Sequence, residues 1–217
     1  MATISHIVGK IVSSRPILHE AIEQNIISYG NLGEQLVPEI EAELGKKVKH
    51  SAVVMSLRRY AENIQKNTVR PKFDYNSEII MKTNLCDISV RKSPSLFSKL
   101  KKIYSIVNYE KGDVLNVIHG NYEVSIVSNM RYIEKIKAEL KGEKILNTEN
   151  DLVSLSLNFL GDFMHTPGII STAARKLNWE NVNIYELVST LTELTFIVSK
   201  KDSTKGYDAL QRLVSEK

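Results

Sequence analysis

The sequence predicts an α+β protein in which an all-α, helix-turn-helix-like N-terminal domain precedes two ferredoxin-like βαββα(β) units. Three observations support this class. Residues 1–70 carry apolar side chains at helical spacing, residues 71–76 are polar and include a proline, and the remainder repeats one order of strands and helices. We therefore divide the chain into a helical domain (1–70), a linker (71–76) and two α/β units (77–150 and 151–217).

The first two helices of the N-terminal domain are predicted from the spacing of isoleucine, leucine and valine. Apolar residues recur every three or four positions over residues 3–13 and again over residues 16–26. Pro16 suits the first position of the second helix, because a proline there sacrifices no helical hydrogen bond.

A third helix is expected over residues 32–44, with Asn31 as its N-cap and a kink or restart at Pro38. Gly45 is a natural stop, and a fourth helix follows with Ser51 as its cap. Two helices joined by a short turn that contains glycine fit a helix-turn-helix.

Polar side chains around the fourth helix have the chemistry that contacts DNA. Lysines neutralise phosphates, and His, Ser and Arg side chains reach phosphates or base edges. A solvated basic face on a helical hairpin used for dimerisation is the alternative, since the net charge of +4 is mild. The candidate DNA-binding residues are Lys46, Lys47, Lys49, His50, Ser51, Ser56, Arg58 and Arg59.

An internal repeat follows the linker, and each copy has the order strand, helix, strand, strand, helix. Pro94 and Pro167, which open the first helix of each copy, are 73 positions apart, and so are Asn129 and Asp202, which open the second. Units of this size keep an open sheet edge, so we expect them to pack against one another and against a second chain. An extra edge strand is expected over residues 143–148.

Four short motifs in the second copy are spaced as in a known family: Ser-Leu-Asn at 156–158, Thr-Pro-Gly-Ile-Ile at 166–170, Asn-Ile at 183–184 and Ser-Thr at 189–190. This stretch resembles the ACT domain, most closely the regulatory ACT domains of aspartokinases, whereas residues 77–141 match in topology only. The resemblance implies a βαββαβ sensor fold that binds small ligands, often amino acids, where two ACT units meet. It brings no catalytic residues. The whole chain resembles archaeal proteins that join a helix-turn-helix-like region to tandem ACT units.

The turn before the first helix of the second copy has the features of a carboxylate site. Thr166 is expected to cap that helix, and Gly168 leaves the neighbouring backbone amides open to a ligand. Unpaired amides and the helix dipole favour an anion such as the carboxylate of an amino acid, although the same turn opens helices that bind nothing. The resemblance implies that the loop before this turn wraps the ligand and that a neighbouring strand approaches it. The candidate ligand-binding residues are Met164, His165, Thr166, Gly168, Ile169, Ile170, Asn183, Ile184 and Tyr185.

Two differences between this sequence and the family limit what the resemblance implies. The first copy has a shorter loop, and Ser95 stands where the second copy has Gly168, so we expect the first copy to be structural. Lysine-responsive aspartokinases tend to carry an acid where Tyr185 stands, so the resemblance does not imply lysine.

Other chemistry is disfavoured. The sequence has no glycine-rich nucleotide loop, no nucleophile elbow and no metal-ligand spacing among its five histidines, and its single cysteine excludes an intramolecular disulfide. No apolar run approaches the roughly 18 residues of a membrane span, and the N-terminus lacks an apolar signal core. We therefore expect a cytoplasmic protein that is not an enzyme and needs no metal or cofactor.

Two functions remain. In the first, a homodimer senses an amino acid or a related small metabolite through its ACT units and contacts double-stranded DNA through its helical head. In the second, the chain is a regulatory or scaffolding subunit that docks on an amino-acid biosynthetic enzyme without nucleic acid. Neither function involves a membrane.

Overall fold

The computed structural model describes residues 3–67, 77–159, 163 and 165–215, without the side chains of residues 65–67. The chain divides into two compact units, Met1–Arg70 and Pro71–Lys217. None of the helices in these described ranges combines the length and the apolar composition needed to cross a bilayer.

The first unit contains four helices: α1 (Ile4–Ser13), α2 (Pro16–Glu23), α3 (Tyr29–Leu44) and α4 (His50–Asn67). Pro16 is the first residue of α2, and Gly45 ends α3 with a φ of 67°, so both of these predictions are confirmed. One apolar face of each helix enters a shared core. Its buried residues are Ile7, Val8, Ile11, Val12, Ile22, Leu32, Leu36, Ile40, Val53, Leu57, Ala61 and Ile64.

Two predicted details of α3 are wrong. Ser28 is its N-cap in place of Asn31, because the Ser28 hydroxyl accepts a hydrogen bond from the Asn31 backbone N–H at 3.4 Å. Pro38 does not restart the helix, which continues for 16 residues through it. Leu36 and Ile40 on either side are buried in the core, and this packing offsets the hydrogen bond that proline removes. The helix-turn-helix interpretation of α3 and α4 stays a prediction.

The second unit repeats the order strand, helix, strand, strand, helix, as the sequence predicted. The first copy contains β1 (Glu78–Arg91), α5 (Leu96–Tyr104), β2 (Leu115–His119), β3 (Glu123–Asn129) and α6 (Ile133–Glu139). The second copy contains β4 (Ile145–Asn158), α7 (Ile169–Trp179), β5 (Ile184–Ser189), β6 (Glu193–Ser199) and α8 (Ser203–Ser215). The six strands form one antiparallel sheet in the order β2-β3-β1-β4-β6-β5.

The two copies are joined by their long strands, β1 and β4. The second half of β1 (85–91) pairs with β3, and the second half of β4 (152–158) pairs with β6. The first half of β1 (78–82) pairs with the second half of β4, and the first half of β4 (145–149) pairs with the second half of β1. Each copy therefore supplies the fourth strand that the other lacks.

This exchange corrects the prediction of an extra edge strand over residues 143–148. A strand does begin at Ile145, but it lies at the centre of the sheet, because the unpaired edge of the first copy meets that of the second. Asn84 and Asp151, at the junctions between the strand halves, adopt φ angles of 58° and 53°. Asn and Asp tolerate this left-handed conformation better than most residues do.

The helices cover one face of the sheet. The core of the first copy lies under α5 and α6, and the core of the second copy, which includes Leu155 and Phe196, lies under α7 and α8. Gly206 allows α8 to approach the sheet closely, since a Cβ at this position would lie 2.8 Å from Leu155 Cδ1.

Candidate carboxylate-binding site

The turn before α7 differs from its predicted geometry. The N-cap of the helix is Gly168 and not Thr166, and glycine has no side chain with which to cap the helix. Gly168 adopts a φ of 95°, in the left-handed region that favours glycine, and the chain enters the helix only after it. Pro167 therefore precedes α7 and is not part of its first turn.

A cavity of about 500 Å³ lies beside this turn. The first N–H groups of a helix have no partner within the helix, and the N-cap of α7, Gly168, has no side chain that could bond to them. A carboxylate site at this turn requires such a space, and the binding of a carboxylate there stays a prediction. The cavity is lined by Phe163, His165, Thr166, Pro167, Gly168, Ile170, Ser171 and Ser189.

The structure brings four of the nine candidate ligand-binding residues to the cavity: His165, Thr166, Gly168 and Ile170. The Ile169 side chain is buried in the core at 3% exposure, so Ile169 offers only its backbone amide. Met164 lies outside the described residues.

Asn183, Ile184 and Tyr185 are not among the residues that line this cavity. Asn183 immediately precedes β5, and Ile184 and Tyr185 begin it, whereas Ser189, at the end of the same strand, lines the cavity. Six residues of strand span roughly 20 Å, so the two ends of β5 cannot serve one small ligand held by a single chain.

Four lining residues were missed as site residues: Phe163, Pro167, Ser171 and Ser189. The Ser-Thr motif at 189–190 was a signal for Ser189, since it was one of the four motifs that carried the family resemblance. Phe163 lies in the loop that the resemblance expected to wrap the ligand, but it was not singled out as a site residue. It is placed by tertiary packing, because its ring stacks on Phe159 with 4.2 Å between centroids.

The corresponding turn of the first copy holds a carboxylate of the chain itself. Glu143 Oε2 accepts from the Ser93 hydroxyl at 2.5 Å, and Oε1 accepts from the Ser95 hydroxyl at 2.7 Å. The Lys99 ammonium lies 2.7 Å from Oε1, and the Glu143 side chain is only 4% exposed. Lys99 and then the two hydroxyls hold the pKa of Glu143 at about 2, well below its ordinary value. The start of α5 is therefore a filled carboxylate site.

In the helical head, two of the candidate DNA-binding residues, His50 and Lys47, bond to other residues of the chain. His50 Nε2 donates to the Gly30 carbonyl at 2.9 Å, and Lys47 pairs with Glu41 at 3.0 Å. Hydrogen bonding to the Val48 amide and to Lys47 lowers the pKa of Glu41, which strengthens that pair.

Ser56 is 8% exposed and donates to the Ala52 carbonyl at 2.9 Å, so the expectation that it reaches DNA is corrected by its burial. It shares a face of α4 with Val53, which is fully buried three positions earlier, and its Oγ lies 3.2 Å from the Ser5 Oγ of α1. The other candidates are exposed, namely Lys46, Lys49, Ser51, Arg58 and Arg59.

Other reactive groups are few. Cys86 is buried, its Sγ lies 3.5 Å from the Ser128 carbonyl oxygen, and burial raises the pKa of its thiol to about 11. Such a thiol is a poor nucleophile, because the thiolate is the reactive form. Among the described residues, no group of three His, Cys, Asp or Glu side chains could hold a metal ion.

No family model matches the chain, and no curated protein matches it significantly in sequence. Solved structures do share its fold. The ligand-free regulatory subunit of aspartate kinase from Thermus thermophilus is 11% identical, with a TM-score of 0.51 over 62% of this chain and 95% of that subunit. A structure of aspartokinase alpha and beta subunits is 16% identical, with a TM-score of 0.52 over 63% and 97%. Aspartate kinase from Clostridium acetobutylicum is 21% identical, with a TM-score of 0.52 over 67% and 36%. The chain therefore contains an ACT-type fold.

Proposed function

We propose that this chain is a regulatory protein that senses a small carboxylate, an amino acid, at the turn that begins α7. One observation carries the proposal: the two copies differ in how this turn is filled. The first copy seats the Glu143 carboxylate at the start of α5, whereas the second has a cavity of about 500 Å³ at the start of α7. A carboxylate from outside would take the corresponding place in the second copy.

The chemistry of the turn suits such a ligand. The amides of Gly168, Ile169 and Ile170 point toward the N-terminal end of α7, where the helix dipole is positive and stabilises an anion. Phe163 and Ile170 provide apolar contact for the rest of the molecule, and Ser171 and Ser189 provide hydroxyls. A cavity with an apolar lining and a few polar groups is typical of small-molecule sites.

The fold likeness adds support of a second kind. The Thermus thermophilus protein is described as a regulatory subunit, and this chain matches nearly its full length. This likeness supports the regulatory role that we propose; the homo-oligomer and the lack of catalytic activity stay predictions from the sequence.

A thermal-shift screen with the twenty amino acids, applied one at a time, tests the sensing function. We expect one amino acid or a chemically related group to raise the melting temperature. A ligand that binds only the folded state adds about 2.7 kcal/mol of stability at 100 times its dissociation constant. No increase with any of the twenty would contradict amino-acid sensing.

A variant of Ile170 then locates the binding site. This residue lies in the first turn of α7, is 42% exposed and lines the cavity. Ile170→Glu places a carboxylate where the ligand would sit, so we expect binding to be lost. Protein stability should be preserved, because an acid in the first turn of a helix is favourable. Ile170→Gln is the control, and it should retain far more binding. Equal loss in both variants would show that size, and not charge, is responsible.

DNA contact by the helical head is the second candidate function. It rests on five exposed polar residues on and before α4, including Arg58 and Arg59, which make no ion pair with any described residue. In a gel-shift titration with pooled genomic fragments at two salt concentrations, we expect binding that weakens as salt rises. The double variant Arg58→Ala/Arg59→Ala should weaken it further. No retardation at low salt would reject DNA and leave docking on a biosynthetic enzyme, which co-purification would detect.

A further inference from the structure

The sheet face opposite the helices closes over a second cavity, of about 290 Å³. Side chains of β4 alternate between faces, so Val153, Leu155 and Leu157 enter the core under the helices while Ser154 and Ser156 face the other way. Both edge strands of the sheet contribute to the lining, Leu115 and Asn116 from β2 and Val188 from β5. The sheet is therefore curled enough for its two copies to enclose one space, which we call the concave cavity.

The concave cavity is lined by polar side chains that make no hydrogen bond to the described residues. Ser154 is 3% exposed, and its hydroxyl makes no hydrogen bond to any described residue. The side-chain amides of Asn116 and Asn158 also line the cavity without a partner among the described residues. These side chains are therefore able to bond to a polar molecule in the cavity.

A directed chain of hydrogen bonds ends on an acid in this cavity. Thr195 Oγ1 donates to Glu193 Oε1 at 2.7 Å, so its single hydrogen is used. Ser156 Oγ lies 2.7 Å from Thr195 Oγ1 and must therefore be the donor of that bond. Both hydrogens point toward Glu193, and its Oε2 is left for another donor.

A lysine supplies the opposite charge. Lys82 Nζ donates to the Gly112 carbonyl at 2.9 Å and forms no ion pair within the described parts of the chain, so two of its N–H groups remain. Asp113 also lines the cavity but is already occupied. It accepts hydrogen bonds from Arg131 and from the Tyr132 hydroxyl, and these bonds hold its pKa at about 2.

Lys82 and Glu193 lie beside different ends of the second half of β4. Lys82 lies opposite Ser154 in the β1–β4 register, and Glu193 lies opposite Asn158 in the β4–β6 register. Ser154 and Asn158 are four residues apart, which is about 13 Å along a strand. A molecule between them meets an ammonium and a hydroxyl at one end and a carboxylate and an amide at the other.

We propose that the concave cavity is a second ligand site, which binds a small zwitterion of amino-acid size. Its carboxylate pairs with Lys82 and accepts from Ser154, and its ammonium pairs with Glu193 and donates to the Asn158 side-chain oxygen. The site is separate from the α7 turn and does not depend on it. A bound zwitterion connects β1 of the first copy with β4 and β6 of the second.

Calorimetric titration of the full chain with each of the twenty amino acids tests this site. We expect at least one amino acid whose affinity falls tenfold or more in Glu193→Gln and in Lys82→Met. Glu193→Gln keeps the size of the side chain and an acceptor for Thr195, so it should fold. The matched controls are Glu123→Gln, which removes the acid that begins β3 as Glu193 begins β6, and Lys101→Met on an exposed face of α5. Both controls should bind as the unmodified chain does.

Two results would overturn the proposal: no binding of any amino acid, or binding that neither Glu193→Gln nor Lys82→Met weakens. Ile170→Glu separates the two sites, because it blocks the α7 turn and leaves the concave cavity intact. Binding lost only in Ile170→Glu would reject the concave site and keep the sensing function at α7. Binding lost only in Glu193→Gln and Lys82→Met would do the reverse.

Discussion

Replacing Glu143 with alanine is expected to lower the melting temperature of the α/β unit by several degrees, and acetate is expected to restore part of the loss. The substitution leaves Ser93, Ser95 and Lys99 around a space from which a carboxylate has been removed. Lys99 then lacks its ion-pair partner, and the turn before α5 loses its hydrogen-bond acceptor. Acetate supplies a carboxylate of the right size, so it should bind and stabilise the variant. Thermal melts in sodium acetate and in sodium chloride of equal ionic strength measure the effect.

Glu139→Ala is the matched control, because Glu139 pairs with Lys102 at 3.5 Å on an exposed surface. Exposed pairs of this kind contribute little to stability, so this variant should melt close to the unmodified chain and show no response to acetate. Equal stabilisation of all three proteins by acetate would show a general salt effect. It would also remove the internal evidence that these turns bind carboxylates.

The contribution of Glu143 also has a defined pH range. Its pKa is lowered from 4.5 to about 2 in the folded chain, so the folded state favours the ionised form. The stabilisation is therefore complete above the unfolded pKa and is lost as the pH falls through the folded pKa. The difference in melting temperature between the unmodified chain and Glu143→Ala should be full at pH 7 and shrink between pH 4.5 and pH 2.

Much of the fold could be predicted because local signals determined it. The start of a helix at Pro16 and the end of one at Gly45 follow from backbone conformation, and the repeated order of strands and helices follows from the equal spacing of their cap residues. The first half of β1 could not be found in the same way. Residues 78–82 become a strand because β4 of the other copy lies beside them, and that partner is about 75 positions away in the sequence.

In the candidate sites, too, the residues with a local sequence signal could be predicted and those placed by distant parts of the chain could not. The glycine at 168 and the run of amides after it were visible in the sequence, and both lie at the cavity. Glu143 was not found, because its role depends on the segment before β4 passing the start of α5. Ser154 and Glu193 were not found either, since they share a cavity only after the sheet curls.

Removing the largest buried side chain of the second copy is expected to cause the greatest loss of stability. Phe196 is fully buried between α7, α8 and the sheet, where it packs among Leu155, Leu177 and Leu210. Phe196→Ala leaves a cavity that this dense core cannot fill, and such substitutions cost about 3–5 kcal/mol. For a unit of this size the melting temperature should fall by roughly 10 °C. Differential scanning calorimetry measures the change.

Which of the two units loses stability in Phe196→Ala is as informative as the size of the loss. The helical head has a core formed only from residues of α1 to α4, so its unfolding transition should stay at its original temperature while that of the α/β unit moves. Phe97→Ala is the control, since this ring is 57% exposed on α5 and stacks only on His119 among the described aromatic rings. Phe97→Ala should lower the free energy of unfolding far less than Phe196→Ala does. A single transition that shifts as one in Phe196→Ala would show that the head and the sheet unfold together.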